Sequence, residues 1–296
     1  MKTVLVTGAA GALGHAVISR LRKGGNYRVI ATNRRCDDKR GFQLDIRNHE
    51  QFAAAIIRAE PDLILHLAAT FVSDFDEAYA VNVEATRHLL DAVQKSGSRM
   101  RVLLIGSAAE YGVVRPEENP IREDRILNPV SIYGLSKAWQ TQLAGFYASQ
   151  GVDVVVARVF NLDGAGLTER LFIGRLQKQI EEVLAGRKSV IQLGPLSATR
   201  DYLTTDEAAG QILAIAEYAE SGRVYHVASG LPITMRELLY RYLTINKLDA
   251  SIVQESAALT NRTGCDVPVI YADITHTMQL MNKGKEGFCQ SLSSQS

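Results

Sequence analysis

The sequence predicts an α/β protein whose main part is a doubly wound parallel sheet, followed by a smaller C-terminal α/β lobe. Apolar strand patterns alternate with amphipathic helix patterns as far as residue 160, and the first strand runs into a glycine-rich turn. Alternation of this kind is typical of parallel sheets with helices on both faces. The connections lengthen afterwards, so we place the sheet domain at 1–160, the smaller lobe at 161–282 and a polar, disordered tail at 283–296.

The composition is that of an ordinary globular protein, with 46% hydrophobic and 22% charged residues in a chain of 296. A net charge of +1 gives no electrostatic case for nucleic acid or an anionic membrane as a partner. No apolar run approaches the roughly 20 residues that a membrane span needs. The three scattered cysteines, Cys36, Cys265 and Cys289, suggest neither disulfides nor a metal site. We therefore expect a cytoplasmic protein without a metal.

The first strand, Thr3–Thr7, leads through T-G-A-A-G-A-L-G at residues 7–14 into an amphipathic helix over His15–Lys23. Strand, glycine turn and helix make half of a Rossmann-type βαβ unit, in which a dinucleotide pyrophosphate lies against the helix N-terminus. The spacing is G-x-x-G-x-x-G, and the alternative is a turn with a purely structural role. The residues predicted to contact the cofactor here are Gly8, Ala10, Gly11, Ala12 and Leu13.

The second strand, Tyr27–Thr32, is followed by Asn33, Arg34 and Arg35 rather than by the acidic residue that binds the ribose of NAD. Guanidinium groups bind phosphate in a bidentate fork, so the arginines favour NADP(H), with its 2′-phosphate, over NAD(H). The alternative is a solvated basic loop. Farther on, Asp45 is placed to contact the adenine amino group.

Later strands are predicted to end at the same edge of the sheet. The strand at 63–69 ends in small residues, which leave room for a ligand, and its His66 is interpreted as a packed strand residue. The strand at 101–105 leads to Ser107. Further cofactor contacts are predicted from Asp45, Ile46, Leu67, Ala68 and Ala69.

Tyr133 and Lys137 stand four residues apart in S-I-Y-G-L-S-K at 131–137. If this segment opens a helix, the two side chains share a face. A tyrosine hydroxyl ionises near pH 10, and an adjacent ammonium lowers its pKa, as proton transfer to or from an alcohol or ketone requires. The alternative is a solvated pair on a helix surface.

The other elements follow from hydrophobic periodicity. We predict helices at 49–60, 76–95, 137–150, 169–185, 206–219, 235–244 and 273–281, and strands at 27–32, 42–46, 152–159, 190–193 and 223–227.

Eight motifs together resemble the extended short-chain dehydrogenases/reductases of the nucleotide-sugar epimerase/dehydratase family. They occur in family order and spacing over about residues 1–245. The motifs are T-G-A-A-G-A-L-G at 7–14, L-D-I at 44–46, H-L-A-A at 66–69, N-V-E-A-T at 82–86, S-A-A-E-Y-G at 107–112, Y-G-L-S-K at 133–137, R-V-F-N-L-D-G at 158–164 and R-D-Y-L at 200–203.

The resemblance implies catalytic roles for four residues. Tyr133 would be the acid/base, and Lys137 would lower its pKa and hold the nicotinamide ribose. Ser107 would hydrogen-bond the reacting sugar oxygen, and Asn82 would help to position the lysine.

The resemblance also implies a substrate site. Asn161 and Arg200 match positions that contact the diphosphate of a nucleotide sugar, and a diphosphate bound to a near-neutral protein needs a guanidinium. Arg158 and Asp201 have an alternative interpretation as a structural pair.

Two alanines narrow the expected chemistry. The family's dehydratases carry acidic residues after the catalytic Ser/Thr, where this chain has Ala108 and Ala109, so a dehydratase is not expected. Glu110 comes one position later and is expected to point the other way on an extended segment.

Several features are similar to the reductases of GDP-4-keto-6-deoxymannose and their relatives, among them Arg34-Arg35, T-R-D-Y-L at 199–203 and V-Y-H-V-A-S-G at 224–230. The leading hypothesis is an NADPH-dependent reductase of a GDP- or dTDP-linked 4-keto-6-deoxyhexose. The alternatives are an NAD-dependent 4-epimerase and a non-catalytic dinucleotide sensor. The resemblance implies a homodimer through the helices around 82–95 and 137–150, whereas the family's usual L-G-W-x-P turn near the C-terminus is missing.

Overall fold

A computed structural model describes residues 1–34, 41–259 and 267–293, the last nine of these by their backbone alone. Its strands are β1 (Lys2–Thr7), β2 (Tyr27–Asn33), β3 (Phe42–Gln43), β4 (Leu63–His66), β5 (Arg101–Ser107), β6 (Val154–Val159), β7 (Asn161–Asp163), β8 (Ile191–Leu193), β9 (Thr199–Thr204), β10 (Val224–Val227), β11 (Pro232–Thr234) and β12 (Val253–Glu255). Its α-helices are α1 (Ala12–Gly24), α2 (His49–Ala59), α3 (Phe75–Ala78), α4 (Ala85–Ser96), α5 (Ile132–Ser149), α6 (Phe172–Leu184), α7 (Thr205–Tyr218), α8 (Met235–Ile245) and α9 (Thr275–Ser293).

Seven strands form one parallel sheet in the order β10-β6-β5-β4-β1-β2-β3. The prediction of a doubly wound parallel sheet is confirmed. Thr7 pairs with Thr32 on one side and with His66 on the other, so β1, β2 and β4 end at the same level. Ligands of such sheets bind beyond this carboxyl edge.

Two apolar layers hold helices against the sheet. On one face, α1 and α7 pack through a core that includes Val17, Leu21 and Ile212. On the other face, α2, α4 and α5 pack through a core that includes Phe52 and Leu89. Because both faces are covered, the strands read as continuous apolar runs.

A smaller lobe holds two further sheets, β11-β9-β7 and β12-β8. Helices α6 and α8 pack on them through Leu176, Ile180, Leu239 and Leu243.

The boundary at residue 160 differs from the observed architecture. Helix α7 and strand β10, both assigned from sequence to the smaller lobe, return to the large sheet, where β10 pairs with β6. The apolar face of α7, with Ala208, Ala209 and Ile215, matches α1 closely enough to pack against it. The chain therefore leaves the sheet domain after β6 and re-enters it.

The C-terminal segment also differs from the prediction. Helix α9 extends the predicted helix at 273–281 to Ser293, so the backbone of 283–293 is helical rather than irregular. This stretch has no proline, and its Lys, Glu, Gln and Leu residues favour helix strongly enough to accommodate two glycines. Among the described helices, none is both long and apolar enough to cross a membrane.

Candidate active site

The glycine turn after β1 brings backbone atoms close together. Gly8 has φ +68°, and a Cβ added to it would lie 2.7 Å from Ala68 N. A Cβ on Gly14 would lie 2.8 Å from Ala9 O and closer still to Gly8 O. At Gly11 a Cβ would meet only Gly8 O, at 3.5 Å. Two of the glycines therefore serve packing, whereas Gly11 leaves open space above the turn.

That open space fits a dinucleotide. Helix α1 begins at Ala12 with Gly11 as its N-cap, has no side-chain cap and has no acidic residue in its first turn. Its N-terminal N–H groups and partial positive charge are therefore available to a pyrophosphate. Ala10 and Gly11 are exposed, while Leu13 packs partly against the core.

The residues predicted to contact the adenosine lie at the carboxyl edge of β2 and β3. Arg34 is exposed and lines a shallow hollow with Gln43, Asp45 and Gln51. Arg47 donates to Asp45 from Nη2 at 2.6 Å and from Nε at 3.0 Å, which lowers the pKa of that carboxyl.

Other predicted cofactor residues lie around the same edge. Asn33 ends β2, whereas the side chain of Ile46 is buried in the core and leaves only its backbone for a ligand. Leu67, Ala68 and Ala69 are half-buried just beyond β4. Arg35 lies outside the described residues.

Tyr133 and Lys137 both lie in the first turns of α5. The side chain of Ser131 caps this helix by accepting a hydrogen bond from Gly134 N at 3.0 Å. Ser107, the last residue of β5, lies beside the Tyr133 hydroxyl. The Phe71 ring lies 4.9 Å from the Tyr133 ring, centroid to centroid.

The electrostatics of Tyr133 differ from the expectation. Burial raises the pKa of Tyr133 to about 12, although the neighbouring Ser107 acts in the opposite direction. The ammonium of Lys137 was expected to lower this pKa, but it points to another partner, the amide oxygen of Gln140. Tyr133 is therefore a protonated phenol at neutral pH.

Lys137 is fully buried, and burial lowers its pKa to about 8. The group stays largely charged at neutral pH and loses its proton at a lower pH than an exposed lysine does.

Asn82 lies in a π-helical segment, Tyr79–Glu84, between α3 and α4. Its amide nitrogen donates to Ser136 Oγ at 2.9 Å and to Thr70 O at 3.0 Å, and its amide oxygen accepts from Thr70 N at 3.0 Å. The side chain therefore ties the loop after β4 to α5, while Lys137 is reached through other residues.

Glu110 is fully buried, and the extended backbone that the sequence predicted around it was wrong. Residues Ala108–Tyr111 form a 3-10 turn instead of an extended segment. One carboxylate oxygen of Glu110 accepts from Ser107 N at 2.6 Å, and the other accepts from Arg158 Nη2 at 2.9 Å and from Thr141 Oγ1 at 2.8 Å. Glu110 therefore fixes the backbone of Ser107.

The proposed structural pair of Arg158 and Asp201 was also wrong. Arg158 binds Glu110, whereas Asp201 accepts hydrogen bonds from Ser229 N at 2.7 Å and Gly230 N at 2.9 Å. These backbone bonds organise the loop after β10.

The two predicted diphosphate ligands lie close together on neighbouring strands. Asn161 in β7 donates to Asp201 O at 3.0 Å. Arg200 in β9 is buried, and its Nη1 donates to Val267 O at 2.6 Å and to Thr199 O at 2.9 Å. Their roles toward a substrate stay predictions.

His66 is buried at the end of β4, as the sequence predicted, with Nδ1 2.9 Å from Thr7 Oγ1. Burial lowers its pKa to about 3. Within the described part of the chain, no three His, Cys, Asp or Glu side chains come together as metal ligands do.

Comparison with known proteins matches the sequence of this chain to one family. The sequence pattern of the "NAD dependent epimerase/dehydratase family" matches residues 4–228. Among curated proteins, the chain is 30% identical over 206 residues to GDP-6-deoxy-D-mannose reductase of Pseudomonas aeruginosa, an alignment that covers 67% of this chain and 68% of the relative.

Solved structures share the whole fold. A putative epimerase from Burkholderia cenocepacia superposes with a TM-score of 0.82 at 26% identity, covering 95% of this chain and 91% of the other. RMD from Pseudomonas aeruginosa complexed with NADPH superposes with a TM-score of 0.80 at 22% identity and the same coverage. The glycine turn, the Ser107–Tyr133–Lys137 arrangement and this match over most of the chain lead to one conclusion: the chain belongs to the NAD dependent epimerase/dehydratase family.

Proposed function

We propose that the protein is an NADPH-dependent reductase of the 4-keto group of a GDP- or dTDP-linked 4-keto-6-deoxyhexose. The observation that carries this proposal is the protonated Tyr133 beside Ser107 at the edge of the sheet, followed by Ala108 and Ala109. Such a site supplies a proton to a ketone but has no acidic pair at these two positions to expel water. The similarity to a GDP-6-deoxy-D-mannose reductase supports the substrate class.

The chain's own residues perform the proton transfer. When bound, the reduced nicotinamide supplies a hydride to the carbonyl carbon. The Tyr133 hydroxyl gives its proton to the carbonyl oxygen, so the ketone becomes an alcohol, and Tyr133 regains a proton from solvent. Ser107 hydrogen-bonds the same oxygen, and the Lys137 ammonium stabilises the phenolate that Tyr133 forms in the transition state.

The preference for NADP(H) rests on Arg34. It is exposed in the hollow that also holds Asp45, where a 2′-phosphate would meet its guanidinium. We expect Arg34→Ala to raise the KM for NADPH and leave that for NADH unchanged; equal effects on both cofactors would refute this role.

We also propose a homodimer. Phe75 in α3, Tyr79 at the start of the π-helical segment and Trp139 in α5 form a cluster of aromatic rings, and Phe75 and Tyr79 are both more than 40% exposed. Phe146, farther along α5, is 60% exposed. A second copy would bury this apolar face, and sedimentation equilibrium should report twice the chain mass.

The test of the proposed function offers GDP- and dTDP-linked 4-keto-6-deoxyhexoses separately and follows the absorbance of NADPH. Net oxidation with one of them, and formation of a 6-deoxyhexose, is expected. A 4-epimerase, the alternative that the fold match to a putative epimerase supports, would instead keep NAD(H) bound through purification and interconvert nucleotide sugars without consuming cofactor.

A further inference from the structure

A buried relay of hydrogen-bonded side chains joins Lys137 to the π-helical segment that carries Asn82. The Lys137 ammonium donates to the amide oxygen of Gln140. The amide nitrogen of Gln140 donates to Thr86 Oγ1 at 2.7 Å, and Thr86 Oγ1 donates to Asn82 O at 2.9 Å. All four residues are at most 1% exposed, so water does not compete for these bonds.

Each hydrogen-bonding group in this relay has one possible orientation. The Thr86 hydroxyl has a single proton, which goes to the carbonyl of Asn82, so the hydroxyl can only accept from Gln140. The amide nitrogen of Gln140 therefore faces Thr86, and its oxygen must face Lys137. The position of the Thr86 hydroxyl thereby sets the orientation of the amide that meets the ammonium.

The π-helical segment positions the carbonyl of Asn82, at which this relay begins. Ala85 N donates to Ala80 O, five residues earlier, instead of following α-helical spacing. Beyond that wide turn, Thr86 reaches back to Asn82 O. The segment thus provides the fixed end of a relay to α5, which the side chain of Asn82 braces separately through Ser136.

A neutral amide is a specific choice of partner for this ammonium. It takes one of the three N–H bonds of Lys137 and leaves two for the site. A carboxylate at the same position would neutralise the Lys137 ammonium. Less positive charge would then remain to stabilise the phenolate of Tyr133. Glu110 and His66 are the other titratable groups that influence Lys137, and neither donates to nor accepts from its ammonium.

From this geometry we infer that Gln140 is a positioning residue that holds the Lys137 ammonium in the cofactor site, and that Thr86 orients it. The relay positions the lysine, a task with which the family resemblance implied that Asn82 would help. The inference rests on the proposed function only for its kinetic consequences, because its test uses binding of NADPH.

The experiment measures NADPH affinity by nucleotide fluorescence between pH 6 and 10. The Lys137 pKa of about 8 predicts that wild-type affinity falls as the pH passes that value. In Gln140→Glu the carboxylate retains the proton on Lys137, and we expect the midpoint to rise by at least one pH unit. The matched control, Gln142→Glu, makes the same change at an exposed position of the same helix and should follow the wild type.

A second pair of variants tests the orientation step without a new charge. Thr86→Val removes the hydroxyl at nearly constant volume, and Thr86→Ser keeps it. We expect Thr86→Val to weaken NADPH binding at pH 7 at least fivefold and Thr86→Ser to bind like the wild type. A midpoint for Gln140→Glu equal to that of Gln142→Glu, or equal affinities for the two Thr86 variants, would overturn the inference. Failure to reduce any sugar, with these binding results intact, would overturn the proposed function alone.

Discussion

Tyr133 combines a half-buried ring, packed against Phe71, with a hydroxyl that interacts with Ser107. Its raised pKa suits a residue that donates a proton rather than one that waits as a phenolate. The raised pKa therefore supports the proposed role of Tyr133 as the proton donor in a reduction.

The variant Tyr133→Phe removes only that hydroxyl. Because general acid catalysis contributes about 10²- to 10⁴-fold, turnover should fall by that factor. NADPH affinity and the thermal midpoint should stay near the wild-type values, as the ring still packs on Phe71. Unchanged turnover would show that a group other than Tyr133 supplies the proton.

The pKa of Lys137 predicts how kcat changes at alkaline pH. Its folded-state pKa of about 8 lies below the usual value near 10.5, so the charged form is lost as the pH rises through 8. Since the ammonium stabilises the developing phenolate, kcat should fall above about pH 8. Rate measurements from pH 6 to 10 check this; a constant rate up to pH 10 would contradict the assignment.

Sequence motifs predicted the residues that are proposed to react but missed the partners that hold them. Ser107, Tyr133 and Lys137 lie within short motifs, and the structure brings them together. Gln140 lies outside every motif and reads as an ordinary helical glutamine. Arg158 lies in a motif, but its partner is Glu110, 48 residues away, and not the Asp201 that the sequence suggested. Only the three-dimensional structure makes such partners visible.

At the scale of elements, the 3-10 turn after β5 depends on the buried pair of Glu110 and Arg158. The Arg158 guanidinium also donates to the Tyr111 hydroxyl at 2.7 Å, so the pair anchors two residues of the turn and the N–H of Ser107. The pair therefore sets the position of the catalytic serine.

The variant Glu110→Gln leaves the Arg158 charge buried and uncompensated. Removing one partner of such a pair costs about 3–5 kcal/mol in the free energy of unfolding. Chemical denaturation should show this loss, and kcat should fall because Ser107 shifts. The control Glu117→Gln, in an exposed ion pair with Arg115, should cost less than about 1 kcal/mol; equal losses would show that the buried pair is not special.

The turn between β1 and α1 is the second element with a sharp test. In Gly14→Ala the new Cβ meets the backbone of the turn, so the turn must open and NADPH affinity should fall at least tenfold. Gly24→Ala, at the other end of the same helix, adds a Cβ with no heavy atom within 4 Å and should bind NADPH normally. Calorimetric titration of both variants checks the difference, and similar affinities would mean that the turn does not contact the cofactor.

The bounds of two elements differ from those that local sequence patterns predicted. The strand predicted at 42–46 shortens to Phe42–Gln43, because Leu44 and Ile46 turn into the core while Asp45 binds Arg47. Helix α5 begins five residues earlier than the helix predicted at 137–150, because its cap, Ser131, is an N-cap signal that periodicity does not weigh.

At the scale of the whole molecule, the alternation of strands and helices was sufficient to predict the parallel sheet. It was insufficient to predict that the chain returns to the sheet after residue 204, since the apolar faces of α7 and β10 look alike whether they cover a sheet or a small lobe. Their partners, α1 and β6, become evident only in the folded structure.

The central claim is net reduction, and transfer of isotope tests it most directly. The protein is mixed with NADPH that carries deuterium at the transferring position of nicotinamide C4 and with a nucleotide-linked 4-keto-6-deoxyhexose. We expect one deuterium at C4 of the sugar for each NADPH oxidised, and we expect both the deuterium transfer and the oxidation to be lost in Tyr133→Phe. A sugar changed at C4 without deuterium, and without oxidation of NADPH, would contradict it and identify an epimerase.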